Sequence, residues 1–275
     1  MVELLKLAAE PDRDLRTEYE RQIAYDIMSV GGRCKQPFGT YIGTTASSTS
    51  VAHLAKYMER AVFGEAFGTP AEQHDREYSA YESASLFVVV IDHKRARPAG
   101  SARIVLPSSI GLKTLSDIES FWETPVESLA QPGGFQTDVD NTWDVATLSV
   151  AAPYRKGLVS QALHQAICTA AFHARVRWLI SILDKYVYRL LQMQLRRMFN
   201  SFINLGLQMY AGSPSLPVWC DLETYTARLR RESQALFETL FLGRHLEEAV
   251  STPDWNQFQT VIRSERSESD LVLPS

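Results

Sequence analysis

Along residues 51–63 the apolar side chains of Val51, Leu54, Tyr57, Met58, Ala61, Val62 and Phe63 recur at the 3.6-residue period of an α-helix. Ser50 stands ahead of them as an N-cap, and Gly64 and Gly68 close the run, so the spacing predicts a helix there. A looser helical spacing of Leu15, Ile23, Ile27 and Met28 predicts an earlier amphipathic helix over residues 14–28. Between the two, Gly31, Gly32, Pro37, Gly39 and Gly43 are followed by small polar residues to position 50, a composition that predicts a linker or wrapping loop instead of a core element. Residues 69–83 are polar. Residues 86–91 then form a β-branched and aromatic run that predicts a buried strand, and the alternation over 101–106 predicts its antiparallel hairpin partner, with the turn at 95–100.

Downstream, a short helix is expected at 115–121, a loop at 131–141 around Pro132, Gly133 and Gly134, and a third strand at 143–150. A helix at 158–173, a strand at 178–183, a long helix at 185–203, a strand at 215–222 and a helix at 223–241 follow, and the polar residues 264–275 read as a mobile tail. Hairpin, strand, helix, strand, helix, strand is an α/β order with helices packed on a mixed sheet. The expected organisation is a helical extension and linker over 1–49, a main domain over 50–222, and a C-terminal helix and tail over 223–275.

Composition narrows the class of protein more than its chemistry. A hydrophobic content of 45% with 22% charged residues suits a folded core, and the net charge of −4, with basic residues dispersed except at Arg228, Arg230 and Arg231, offers no footprint for nucleic acid. Cys34, Cys168 and Cys220 are widely spaced, without a CxxC or Cys/His cluster, so neither a disulfide framework nor a metal is expected. The six histidines show no ligand spacing. The longest apolar run falls far short of the ~20 residues of a membrane span, and residues 1–13 lack the order of a signal peptide. A cytoplasmic location is the expectation.

The candidate chemistry begins where the third predicted strand meets a helix, at LSVAAPYRKGLVSQAL (148–163). An unpaired helix N-terminus exposes N–H groups and a partial positive charge, so a turn of Arg155, Lys156 and Gly157 entering a helix can hold a phosphate. This strand, turn and helix resemble the acyl-donor site of the GNAT superfamily, with its V-x-P-x-x-R strand end and Gly-containing turn. Aligning Gly157 with the first glycine of the family's R/Q-x-x-G-x-G/A puts Tyr154 at the R/Q position and Val159 at the last small one.

Within that superfamily the chain is most similar to acyl-homoserine-lactone synthases and long-chain N-acyl amino acid synthases. MERAVFGEAFG (58–68) looks like their first helix, the stretch from Asp75 to Glu82 lies where they carry acidic residues, GSARIVLP (100–107) resembles their G-x-x-R-L-x-P, and WDVATLSV (143–150) resembles their W-E-x-x-R-x-x-V. Asp144 and Thr147 stand for the glutamate and arginine of that last pattern, which counts against lactone synthesis itself.

The resemblance implies a GNAT-like, mostly antiparallel central sheet flanked by helices, and an N-acyltransferase that moves an acyl group from an acyl-CoA or acyl carrier protein thioester to a small amine or amino acid. It also implies a donor site at Val150, Tyr154, Arg155, Lys156, Gly157, Leu158, Val159 and Ser160, and an acceptor site at Asp75, Glu82, Arg103 and Thr147. Asp144 is the expected base, a backbone N–H near 149–151 the carbonyl donor, and Tyr186 or Tyr188 the acid for the leaving thiolate. The aliphatic and aromatic residues of the long helix suit an acyl pocket or, equally, a core. A different class of answer is a module that keeps this fold and binds an acyl carrier or protein partner without turnover.

Overall fold

The computed structural model describes residues 13–31, 34–131, 134–155 and 157–253, the first seven by backbone alone. The tail expected at 264–275 and Lys156 lie outside the described residues. Helix α1 (Arg13–Gly31) leads into strand β1 (Phe38–Thr44). Helix α2 (Thr49–Phe67) follows, capped by Ser48, whose hydroxyl accepts from the Val51 amide, and closed by Gly68 in the left-handed conformation. The polar segment after it is helical: α3 (Ala71–Tyr78) continues into one 3₁₀ turn.

Strands β2 (Ser85–Asp92) and β3 (Arg97–Val105) form the expected hairpin, followed by α4 (Lys113–Phe121), β4 (Thr142–Val150), α5 (Leu158–His173), β5 (Trp178–Asp184) and α6 (Lys185–Gln194). Short strands β6 (Asn200–Ser201) and β7 (Gln208–Tyr210) precede β8 (Ser213–Asp221), then α7 (Leu222–Glu232), α8 (Gln234–Leu242) and β9 (Val250–Ser251).

These strands make one mixed sheet in the order β6-β8-β5-β4-β3-β2-β1-β9, with β7 also on β8. All the pairings are antiparallel except β4 with β5 and β1 with β9. Successive residues of a strand face opposite sides. Ser101 donates to the Ala55 carbonyl of α2, while a Cβ on Gly100 would strike Val159 and Leu163 of α5, so α2 and α5 cover opposite faces of the meander. Among the described residues no helix is long and apolar enough to cross a membrane.

Four local expectations need correction. Ser50 is not the N-cap of α2 but lies in its first turn, the cap being Ser48. Residues 38–44 are not linker but β1, paired along its length with β2. The glycines that made it read as a loop are needed there, because a Cβ on Gly39 would lie 2.5 Å from the Tyr41 hydroxyl and one on Gly43 would lie 2.8 Å from Ser48 Cβ. The helix after β5 stops at Gln194 instead of running to 203: Arg196 and Arg197 take positive φ of 47° and 57°, and the turn carries Met198, Phe199 and Phe202 into the core. The last long helix breaks in two at Ser233, whose backbone leaves helical geometry at φ −159° and ψ 76°.

Candidate active site

Between α2 and the sheet lies a buried polar cluster built on Arg103, which is 2% exposed. Its Nε and Nη2 donate to the two carboxylate oxygens of Glu59 at 3.2 and 2.7 Å, and its Nη1 reaches Glu82 at 3.5 Å. Glu59 is fully buried. The Thr147 hydroxyl donates to it at 2.6 Å, and His74 Nε2 lies 3.3 Å from it. The guanidinium carbon sits 4.6 Å from the Tyr78 ring centre and 4.9 Å from that of Phe87. Complete burial pushes the Glu59 carboxyl upward, but Arg103, His74 and Thr147 outweigh it and hold the carboxyl at about 2.

Of the expected acceptor residues, Arg103, Glu82 and Thr147 therefore meet, whereas Asp75 pairs with Arg60 through two bonds of 2.8 Å. Glu59 was missed. Its signal in the sequence was an acid on the apolar stripe of α2, beside Met58 and three residues before Val62.

Asp144 is also fully buried. The N-cap of α4 is Leu112, which offers no acceptor, and Asp144 supplies it from β4: the Thr114 amide donates to Oδ2 at 2.6 Å and the Thr114 hydroxyl to Oδ1 at 2.8 Å. Burial nevertheless pushes this carboxyl up to about 7. Nearby, Lys113 pairs with Asp117 at 2.7 Å, and the Tyr78 hydroxyl donates to the Ala146 carbonyl at 3.3 Å.

The parallel ladder between β4 and β5 has three residue pairs, Thr142 with Trp178, Trp143 with Leu179 and Asp144 with Ile180. Beyond it β4 runs on to Val150 and β5 to Asp184 without pairing to each other, and the Ser181 hydroxyl reaches the Val145 carbonyl at 2.8 Å where the ladder stops. The sheet thus splits toward the end of β4 that leads into α5. Helix α5 begins at Gly157 without a side-chain cap, and its first recurring backbone bond runs from the Gln161 amide to the Gly157 carbonyl, which leaves the amides of Leu158, Val159 and Ser160 outside the helix's own ladder.

The donor-site residues around that turn point in different directions. Tyr154 is turned inward: its hydroxyl donates to Asp92 at 2.7 Å and accepts from Arg97 at 3.0 Å. Val159 is 2% exposed and fills the space left by the absent side chain of Gly100, so it stays off the outer surface of the turn. Arg155 is exposed, donates from Nε to the Val150 carbonyl at 3.2 Å and lies 3.6 Å from Glu65 of α2. Val150 is paired with Gly100, and the Ala151 amide is spent on the Ala99 carbonyl.

On α6, Tyr186 is 65% exposed with the Lys185 ammonium over its ring, whereas Tyr188 is half-buried against the core. Gln192 donates to the Tyr188 hydroxyl at 2.8 Å, which leaves that O–H free to act as a donor. Leu191, Met198, Phe199 and Phe202 are core residues, and Met193 stands in solvent. Among the described residues no three His, Cys, Asp or Glu side chains are grouped to hold a metal.

No family model matches the chain, and no curated protein does. Its fold matches solved structures. One is a CoA-dependent acyl-homoserine lactone synthase, BjaI, with SAM and isopentyl-CoA, at a TM-score of 0.51 and 10% identity over 83% of this chain and 99% of that one. Another is FeeM, an N-acyl amino acid synthase from uncultured soil microbes, at a TM-score of 0.51 and 11% identity over 72% of this chain and 98% of that one. At this identity the likeness is one of fold.

Proposed function

We propose that this chain is a GNAT-type N-acyltransferase that takes an acyl group from an acyl-CoA or acyl carrier protein thioester and passes it to a small amine such as an amino acid. The observation that carries this reading is the split between β4 and β5 beside the uncapped N-terminus of α5. The free amides of residues 158–160, with Arg155 exposed beside them, suit the phosphates of the donor's carrier arm, and the split suits its thioester. The amine nitrogen attacks the thioester carbonyl, the C–S bond breaks, the nitrogen's proton is lost and the thiolate takes one up. Tyr188, whose hydroxyl already accepts from Gln192, is the better prepared of the two tyrosines to protonate the sulfur. Asp144, enclosed and shared with Thr114, serves as a positioning residue that fixes α4 against β4. Arg103 organises the α2–β3–β4 contact instead of anchoring an acidic substrate, since its donors are already committed to Glu59 and Glu82.

The same sequestration favours a second reading, a module that binds the donor or a protein partner without turnover. Thermal unfolding with CoA, short and long acyl-CoAs, acylated carrier protein and the free acids separates the possibilities, because a ligand at 100 times its Kd stabilises by about 2.7 kcal/mol. Stabilisation by thioesters but not by free acids, weakened in Arg155→Glu, is the expected result. A shift without acyl transfer to any amine supports the binding module, and no shift by any thioester removes both readings of the donor site.

A further inference from the structure

At the end of the sheet where β1 begins and β2 finishes, side chains able to pass a proton to one another converge beside a cavity that the acyl-transfer reading leaves unused. Cys34 stands between α1 and β1, Tyr41 on β1, His93 directly after β2, and Ser251 on β9. The Cys34 Sγ lies 3.2 Å from the Ser251 Oγ, and the Tyr41 hydroxyl lies 3.0 Å from His93 Nε2. The Tyr41 phenol is also hydrogen-bonded with Cys34 and with Ser251, so these side chains form one connected group. The cavity measures about 410 Å³, and Cys34, Tyr41 and Ser251 line it together with Val30, Lys35 and Gln36.

The packing around this group makes room for it. A Cβ on Gly31 would overlap the His93 ring and one on Gly39 would lie 2.7 Å from His93 Nε2, so the imidazole reaches Tyr41 only because both positions carry no side chain. The parallel pairing of β9 with β1 sets Ser251 opposite Gly39 and beside Cys34. Burial lowers the His93 imidazole below its usual range, with Asp92 pulling the other way, so the ring is neutral near pH 7 and in its Nδ1–H tautomer accepts from the Tyr41 hydroxyl. Burial first and the Cys34 thiol next push the Tyr41 phenol up, so Tyr41 hands a proton along without becoming charged itself. Cys168 and Cys220 lie in the core, where burial raises both thiols, and Cys34 is the partly exposed one.

We propose that this cavity is a thiol–disulfide exchange site at which Cys34 takes up a small anionic disulfide as a mixed disulfide. Cys34 passes its proton through Tyr41 to His93, directly or by way of Ser251, and its sulfur attacks one sulfur of the disulfide. A new S–S bond forms at Cys34 as the old one breaks. Cys34 is thereby oxidised, half of the small disulfide is reduced to a thiol, and the departing thiolate takes up the proton held at His93. Lys35 is the one charged side chain among the described residues that line the cavity, and it favours a negatively charged partner. The site uses none of the groups assigned to acyl transfer and is tested independently of that reading.

The full chain is incubated at pH 7 with oxidised glutathione, which is anionic, or with cystamine, which is cationic, and the adduct is located by peptide mass mapping. Glutathione is expected at Cys34, added at least about tenfold faster than to Cys34 of the urea-unfolded chain. Tyr41→Phe and His93→Gln are each expected to bring the rate close to the unfolded value, and Ser251→Ala to lower it in part, with circular dichroism verifying that each variant is folded. Should Tyr41→Phe or His93→Gln not fold, Ser251→Ala and the folded-to-unfolded comparison in the parent decide. Oxidised glutathione is expected to react faster than cystamine, by a margin that Lys35→Gln narrows. No adduct at Cys34, a folded rate no higher than the unfolded one, or a rate indifferent to the folded Tyr41, His93 and Ser251 variants overturns the proposal. Faster reaction with cystamine overturns the choice of an anionic partner.

Discussion

At the residue scale the protein commits its costliest groups inside the α2–sheet layer. Glu59 and Arg103 are both removed from water, a state that is tolerable only because each satisfies the other and Thr147, His74, Tyr78 and Glu82 complete the shell. Arg103→Ala leaves the Glu59 carboxylate buried without its counter-charge and is expected to destabilise the protein by about 3–5 kcal/mol in urea unfolding. The double variant Glu59→Met/Arg103→Met removes both charges and is expected to lose far less. Equal losses in the two refute the pairing as the source of the cost. Arg103 and Glu82 were legible through the strand and acidic stretch that carry the family likeness. Their main partner was not, because an acid on an apolar stripe gives no indication of the cation that will meet it across 44 residues of chain.

At the element scale, the junction of β3, β4 and α5 is where sequence and packing agree best. Helix α5 and strand β4 lie within a residue of their expected bounds, because both are long, strongly patterned and flanked by turn residues. Gly100 makes their contact possible. A Cβ at that position would lie 2.8 Å from Val159 Cγ1, 3.0 Å from the Ser149 carbonyl oxygen and 3.1 Å from Leu163 Cδ1. Gly100→Ala is expected to cost about 1–3 kcal/mol by overpacking, and Val159→Ala in the same chain to restore part of it. Unfolding of the single and double variants decides this; a single variant as stable as the parent refutes the close fit. The elements that escaped the sequence share a cause. In β1 the glycines answer to neighbours that only the folded layer brings near, and the early end of α6 depends on Arg228, Gln192 and a core waiting for Phe199. None of these is local. The polar helix α3 has no apolar stripe to declare it, since His74 and Tyr78 are its only buried residues.

At the scale of the whole molecule the buried titratable groups set opposing trends in stability with pH. Asp144 has its carboxyl raised from the usual 3.8 to about 7, so between those values the native state keeps a proton that the unfolded chain releases. Its contribution is present below about pH 4 and is lost as pH rises through 7. Glu59, lowered from 4.5 to about 2, contributes above 4.5 and loses that contribution as pH falls through 2. His164, whose burial lowers it from 6.5 to about 4, contributes above 6.5 and loses that contribution as pH falls through 4. Asp144 and His164 therefore act in opposite directions over nearly the same interval, and the parent protein is expected to show a shallow profile there. Asp144→Asn isolates one side of this balance. The amide can accept from the Thr114 N–H with its oxygen and donate to the Thr114 hydroxyl with its nitrogen, so the cap on α4 survives while the ionisation is gone. Relative to the parent, the variant is expected to gain stability steadily from pH 4 to pH 8, by on the order of 2–4 kcal/mol across the range. Urea unfolding at several pH values measures the difference. A difference that stays constant with pH means that Asp144 does not carry the raised carboxyl, and that its tie to Thr114 is enough to keep it ionised in the folded protein.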